Sequence, residues 1–460
     1  MPLSLRQIAL DDKLCHQVRL DMLESIIPSE FVQQVLTDGE AWEKRERKLN
    51  MLTMVYLIMA LSLFPRASYT HVFDKVSAGL RHLWPEEVDR PSKAAISMRR
   101  CQLGEKPLQA LFERLVRPIA TPQTRGAFRC GLRLVAVDST LDNVADTPAN
   151  QAAFGYNGDG EARSPFPQVR CVYLAECGTH IFFDVLLSPC RESEEAQAAT
   201  LITRSLTKGM LLLWDRGFRE TSLIRLVRKQ GAHVLGRLPA MSLTRYVRAL
   251  DDGTYLAVIY RDQSHQRGEP LLVRVIEYTI TDPQVPGAHL VHRLVTTLLN
   301  PRLYPALELV ETYHERWEIE ASIDEYKTHQ RLSARTLRSL TPEGVRQELY
   351  GMLLTHFAIR SLMHQSALQA DLDPDRLSFT HALSVLDCAT WRFAITPRAQ
   401  HPALLCALLQ ELRRELLPPR RLRLNPRVVK RVRSKFDRKL PQHFKAPDLK
   451  CSFLDIIALM

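Results

Sequence analysis

The sequence predicts an α/β fold: a sheet flanked by helices, preceded by a helical N-terminal region, interrupted by a β-rich insertion and followed by a helical, basic C-terminal region. Three observations carry this. Two nearly unbroken apolar runs, Leu132 to Val137 and Met210 to Trp214, have the texture of strands covered on both faces, and each stops at a carboxylate, Asp138 and Asp215. Helical segments, Ser193 to Leu206 and Glu220 to Gln230, stand beside the second run. Between Arg237 and Leu299 the texture turns β-rich, with turn signals at Asp251-Asp252-Gly253, Arg267-Gly268 and Pro286-Gly287.

Up to about residue 125 the chain reads as helical. Amphipathic segments run from Glu30 to Leu36, Ala41 to Phe64, Tyr69 to Leu83, Lys93 to Leu103 and Pro107 to Val116, separated by Pro28, Pro65, Pro85, Pro91 and Gly104. The segment capped by Ser92 has two readings: a recognition helix turning Lys93, Arg99 and Arg100 towards DNA, or one more packing helix. Pro118 to Arg129 reads as a linker. Val169 to Ala175 and His180 to Leu187 form a hairpin about Cys177-Gly178, and His233 to Gly236 is a short strand closing the sheet. Within the insertion, about 237–299, strands are expected at Tyr255 to Tyr260, Leu271 to Thr279 and Val291 to Leu298, and the insertion separates the sheet from the long helix. Pro342 to Ala370 and Pro402 to Leu417 are helical. The expected domains are residues 1–125, 126–340 and 341–460.

From Pro305 to about Gln330 there is no Gly or Pro, so one long helix is expected, entered at a residue pre-set for a first helical turn. At about 100° per residue, Arg316, Glu320 and Lys327 lie within roughly 60° of Tyr313, on one narrow face. At about 1.5 Å per residue, Tyr313 and Lys327 are roughly 21 Å apart, too far to share a small ligand and well matched to an extended charged one. A charged, solvated face with chance spacing is the plain alternative.

Composition narrows the class. With 460 residues, 45% hydrophobic and 25% charged, the chain can bury a large interior, and two or three domains are expected. The longest apolar run, Leu49 to Phe64, is broken by Asn50, Thr53 and Ser62 and is too short for a membrane span. Met1 to Leu10 lacks a secretory signal pattern, so a cytoplasmic protein is expected. Nine scattered cysteines form no C-x-x-C pair, which argues for reduced, structural thiols and against a zinc site. The net charge of +11 resides wholly between Arg413 and Lys450, where fourteen Lys and Arg face three acids. A polyanion partner suits that segment, a solvated tail being the alternative.

If the strands ending at Asp138 and Asp215 are neighbours, their ends lie about 5 Å apart, and Glu320 can reach that edge from the long helix. Crowded carboxylates with hard oxygen donors favour Mg²⁺ or Mn²⁺, and two such ions support in-line phosphoryl transfer. Either aspartate alone could instead cap a local turn or helix.

The order Asp138, Asp215, β-rich insertion, then Tyr313-x2-Arg316-x3-Glu320-x6-Lys327 resembles the DDE transposases of the insertion sequence four family. Supporting matches are Val137-Asp138-Ser139-Thr140, Asp146 to Asn150 leading to Phe154-Gly155, Asp215-Arg216-Gly217-Phe218, Thr341 to Val345, and Leu103 to Leu108 in the N-terminal part. The resemblance implies an RNase H-like catalytic core, with Asp138, Asp215 and Glu320 as catalytic acids and ligands for Mg²⁺ or Mn²⁺. It implies that Tyr313, Arg316 and Lys327 contact DNA phosphates near a transposon end, and that the N-terminal helices bind that end. It further implies terminal inverted repeats and target DNA as partners, and a homodimer that synapses two ends. Relatives stack a Trp from the last insertion strand on a flipped base; the matching position here holds His292. The alternatives are a metal-dependent nuclease without strand transfer, which would yield only cleaved DNA when given a target, and a catalytically inactive DNA-binding regulator, which would tolerate loss of Asp215.

Overall fold

Nearly every residue of the helix Met51–Leu63 is buried, which a soluble helix allows only when neighbours cover it all round. This computed structural model describes residues 4–6, 19–43, 49–83, 90–160, 163–215, 217–218, 221–237, 245–260, 269–279, 291–331 and 336–418. The N-terminal helices are α1 (Ser29–Asp38), α2 (Met51–Leu63), α3 (Tyr69–Val76), α4 (Ala78–Leu83), α5 (Lys93–Leu103) and α6 (Lys106–Leu115). Sequence periodicity started the second helix at Ala41; the Asn50 side chain, accepting from the Thr53 N–H at 2.8 Å, starts it at Met51 instead.

The core follows as β1 (Phe128–Arg129), β2 (Leu132–Asn143), α7 (Pro148–Phe154), β3 (Gln168–Glu176), β4 (Ile181–Pro189), α8 (Glu194–Ser205), β5 (Met210–Trp214), α9 (Thr221–Lys229) and β6 (His233–Arg237). Strand order is β4-β3-β2-β5-β6, with β2, β5 and β6 parallel and β3 antiparallel to both β2 and β4. This is the RNase H-like core the sequence led one to expect, and each predicted core strand overlaps an observed one, the second hairpin strand starting at Ile181 rather than His180. The linker is less loose than its composition suggests: Ile119 and Ala120 both donate backbone N–H groups to the buried Glu176 carboxylate at 2.9 Å.

The insertion lies between β6 and the helix at Pro305 in sequence, and in space it extends the sheet. Its strands β7 (Arg245–Ala249), β8 (Tyr255–Ile259), β9 (Leu271–Tyr278) and β10 (His292–Thr296) continue the same sheet, because β10 pairs antiparallel with β6. Edge pairing of β6 satisfies backbone groups that an isolated insertion would leave exposed.

The expected single helix from Pro305 is also modified. It is built of α10 (Ala306–His314), α11 (Trp317–Asp324) and a π-helical turn, Glu325–Gln330. Between α10 and α11 the bonding tightens to i→i−3, with Glu315 N–H to Thr312 O at 3.0 Å and Glu318 N–H to Glu315 O at 3.0 Å. No Gly or Pro marks these changes. α12 (Pro342–Gln369), α13 (Phe379–Ile395) and α14 (His401–Glu411) complete the described chain. α12 packs α2 against the core: Thr355 Oγ1 donates to Met59 O at 3.1 Å, and a Cβ on Gly351 would stand 2.7 Å from Ile58 Cγ2.

The recognition-helix reading of α5 is overturned. Arg99 and Arg100 are buried, Arg99 bonding Leu49 O at 2.9 Å and Arg100 bonding Gln347 Oε1 at 2.9 Å on α12, so both guanidiniums are spent on packing. The basic run from residue 419 onward, and Arg216, lie outside the described residues.

Candidate active site

Parallel pairing of β2 with β5 runs from Arg133↔Met210 to Ala136↔Leu213. Carrying that register two residues further sets Asp138 opposite Asp215, on strands about 4.8 Å apart. Asp138 is not at the end of its strand as expected. It sits where β5 stops and β2 continues as far as Asn143 against β3 alone. The polar run after Val137 reads as a turn in sequence but is held by β3.

Each acid is locally positioned. Asp138 Oδ1 accepts from the Ser139 N–H at 2.7 Å, and Asp215 Oδ1 from the Gly217 N–H at 2.7 Å. Trp214, buried directly before Asp215, lies over Gly236 of β6, where any Cβ would overlap the indole. Burial chiefly, then the charges of Asp215 and Glu320, push Asp138 up to about 7, against the Ser139 hydrogen bond and Arg316. The same interactions place Asp215, Glu320 and Arg316 around one carboxyl.

Glu320 projects from α11 and accepts from Arg316 Nη2 at 3.0 Å. Arg316 is buried, its guanidinium 5.1 Å from the Trp317 ring centroid. Burial opposes its charge, but Tyr313, Glu320 and Asp215 together raise its pKa above the ordinary value. Tyr313 lies in the same group; burial lifts its phenol to about 12, within the fields of Arg316, Asp215, Arg237 and Tyr278. His292 stands at the rim, stacked on Tyr278 with centroids 5.1 Å apart and its Nδ1 2.7 Å from Arg237 Nη2. Arg237 and Tyr278 were not singled out in sequence. A charged residue ending the apolar β6, as Asp215 follows β5, was the available signal for Arg237.

Lys327 stands further along β2. Its Nζ bonds Thr140 Oγ1, donates to Leu141 O at 2.9 Å and pairs with Asp142 at 3.2 Å. The structure therefore gathers Asp138, Asp215, Glu320, Arg316 and Tyr313, with His292 beside them, and sets Lys327 one step along the same strand.

Whether these residues fit a divalent cation turns on charge. Three carboxylates crowd one edge, one of them raised towards neutrality chiefly by burial and then by the other two, and hard oxygen donors of this kind suit Mg²⁺ or Mn²⁺. Glu320 is engaged by Arg316, and the three acids do not close into a tight trio. The set of three His, Cys, Asp or Glu donors found within 4.8 Å of one another among the described residues is a different one, His180, Glu318 and Asp375.

Comparison with known proteins bears on the whole chain. A family model described as insertion element 4 transposase N-terminal matches residues 17–113, and one described as transposase DDE domain matches residues 129–358. The transposase InsG for insertion sequence element IS4 of Escherichia coli is 26% identical over 420 residues, covering 89% of this chain and 92% of that protein. The putative transposase InsZ of the same organism is 24% identical over 227 residues, covering 46% of this chain and 69% of its own length. Among solved structures, the piggyBac transposase synaptic complex with hairpin DNA is 12% identical, covering 91% of this chain and 88% of that one at a TM-score of 0.43.

Proposed function

Because this chain belongs to the DDE transposases of the insertion element 4 family, a bacterial group dependent on divalent metal and acting on DNA, we propose that it binds the terminal inverted repeats of its own insertion sequence and catalyses Mg²⁺-dependent cleavage and strand transfer at those ends. Mn²⁺ is expected to substitute. Two copies act as a synaptic homodimer in the cytoplasm, on nucleoid DNA. Residues 1–125 engage the transposon end, 126–340 carry the chemistry, and 341–460, with its basic extension, adds DNA or dimer contacts.

The observation that carries this reading is the β2–β5 register, which, carried two residues on, brings Asp138 opposite Asp215, with Glu320 acting on the same carboxyl. Asp138, Asp215 and Glu320 would hold the metal. A metal held there would supply Lewis-acid activation of an attacking water or 3′-hydroxyl and stabilisation of the leaving oxygen. The protein's own residues do the rest. Arg316 neutralises Glu320 until a phosphate arrives, then turns its guanidinium to the phosphate and releases the carboxylate into the site. Tyr313 stays protonated at neutral pH and donates its hydroxyl to a phosphate oxygen. Lys327 meets the strand further along, and His292, in place of the relatives' Trp, presents an imidazole to the end of the duplex.

Asp138→Asn, Asp215→Asn and Glu320→Gln test this together. Mobility shifts on end-bearing duplexes should persist while nicking disappears; a variant that still cuts removes its residue from the site.

A further inference from the structure

Five residues after Glu320, where α11 gives way to the π-helical turn, Glu325 directs its carboxylate into the interior. Side chains from two other elements hold it there. Arg360 on α12 donates Nε to Oε2 at 2.8 Å and bonds Oε1 with Nη2, and His356, one turn earlier, stands with Nε2 3.3 Å from Oε2. His180, from the turn joining β3 and β4, brings Nδ1 to 3.0 Å from Oε1, while its Nε2 pairs with Asp375 at 2.8 Å. We propose that Glu325 is a positioning residue for the DNA strand: its gripped carboxylate fixes where Lys327, two residues on, stands beside β2 and meets a phosphate. Glu325 itself lies too deep to touch DNA. The inference rests on the assignment of Lys327 as a phosphate contact made above.

Packing alone does not ask for a carboxylate at this place. A buried ion pair returns little net stability, and apolar side chains of like volume fill such a space at least as well. What the gripped carboxylate adds is direction. Burial alone would raise the Glu325 carboxyl, but Arg360 and then His180 outweigh it and hold the group well below the usual carboxylate range, so it stays ionised among its partners. Both oxygens are engaged, which fixes the side chain in rotation as well as in depth.

The residues that follow are tied to other elements in turn. Tyr326 is buried edge-on to Tyr173 and Phe182, Lys327 Nζ bonds Thr140 Oγ1 and donates to Leu141 O at 2.9 Å, and Gln330 Nε2 donates to Met352 O at 2.9 Å. On a continuous α-helix Lys327, seven residues after Glu320, would stand about 10 Å along the axis and within about 20° of it. A π turn rotates each residue by less, so Lys327 swings off the line through Glu320, and the Glu325 clamp stands where that change begins.

The test compares full-length Glu325→Gln, Lys327→Met and the double variant for affinity to a duplex bearing the terminal repeat, across a salt series. Lys327→Met should weaken binding and lower the slope of log affinity against log salt by about 1. Glu325→Gln should weaken binding by about fivefold to tenfold and lower the slope likewise, yet add less than about twofold once residue 327 is Met, because both changes remove one contact. Losses that multiply in the double variant, or an unchanged slope in Glu325→Gln, would overturn the proposal and leave Glu325 a stabilising role only. If Lys327→Met keeps the parent's affinity and slope, the phosphate contact fails and this inference with it; independence of the two changes removes this inference alone. Should Glu325→Gln not fold, Arg360→Lys, which keeps the charge and loses the two-point grip, takes its place in the same cycle with the same outcomes.

Discussion

Asp138 and Asp142 stand four residues apart on β2, both facing the same side of the sheet, yet their surroundings are opposite. Asp142 is completely buried and gripped by cations from its own chain, Arg331 at 2.5 Å and Lys327 at 3.2 Å. Asp138 makes no ion pair among the described residues; its neighbours are Asp215 and Glu320, and burial with their charge lifts it to about 7. One carboxylate is neutralised by the protein and serves the fold. The other stands among carboxylates that Arg316 offsets only in part, and the proposed function assigns it to the chemistry.

The contrast breaks most visibly in catalysis. Asp138→Asn should lower strand cleavage by about a thousandfold or more, since metal ligation supplies several kcal/mol, and thermal melts should show no loss of stability. Asp142→Asn should do the reverse in kind: Arg331 is left with a weakened buried partner, a destabilisation of up to about 3 kcal/mol, read as a lowered melting temperature. If Asp138→Asn melts early and Asp142→Asn does not, the assignment of the two acids is inverted.

Smaller effects sharpen it. Arg316→Ala should weaken binding to an end-bearing duplex and reduce the slope of log affinity against log salt by about 1, as loss of one phosphate contact does. An unchanged slope would confine Arg316 to its pairing with Glu320. Lys327→Met is the mildest: with Arg331 still on Asp142, stability should move by less than about 1 kcal/mol, so a measurable drop in DNA affinity would mark Lys327 as a phosphate contact. A fall in melting temperature alone would make it part of the Asp142 clamp.

Much of this arrangement was legible in sequence because buried strands announce themselves. The runs Leu132 to Val137 and Met210 to Trp214 gave both the sheet and the two aspartates, and a parallel register then needs no further information to align them. The Tyr313 to Lys327 spacing likewise set Arg316 and Glu320 on a common face. What escaped had tertiary causes. The tightening near Glu315 and the π turn at Glu325 lie beside residues bonded to distant elements, Glu318 to the Gly178 N–H and Glu325 to Arg360, contacts that no local pattern records. β7 is exposed throughout and lacks alternation, so no pattern marks it. Asp142 and its partner Arg331 are separated by 189 positions, and the His180, Glu318 and Asp375 cluster has no spacing motif at all.

The central claim is that Asp138, Asp215 and Glu320 share metal once DNA is in place. A crystal of the full chain with its terminal repeat and Mn²⁺, read by anomalous scattering, tests it most directly. The account predicts Mn²⁺ bound by all three carboxylates, with Arg316 turned from Glu320 to a phosphate. Mn²⁺ bound elsewhere while cleavable DNA fills the site, or Glu320 still paired with Arg316, would contradict it.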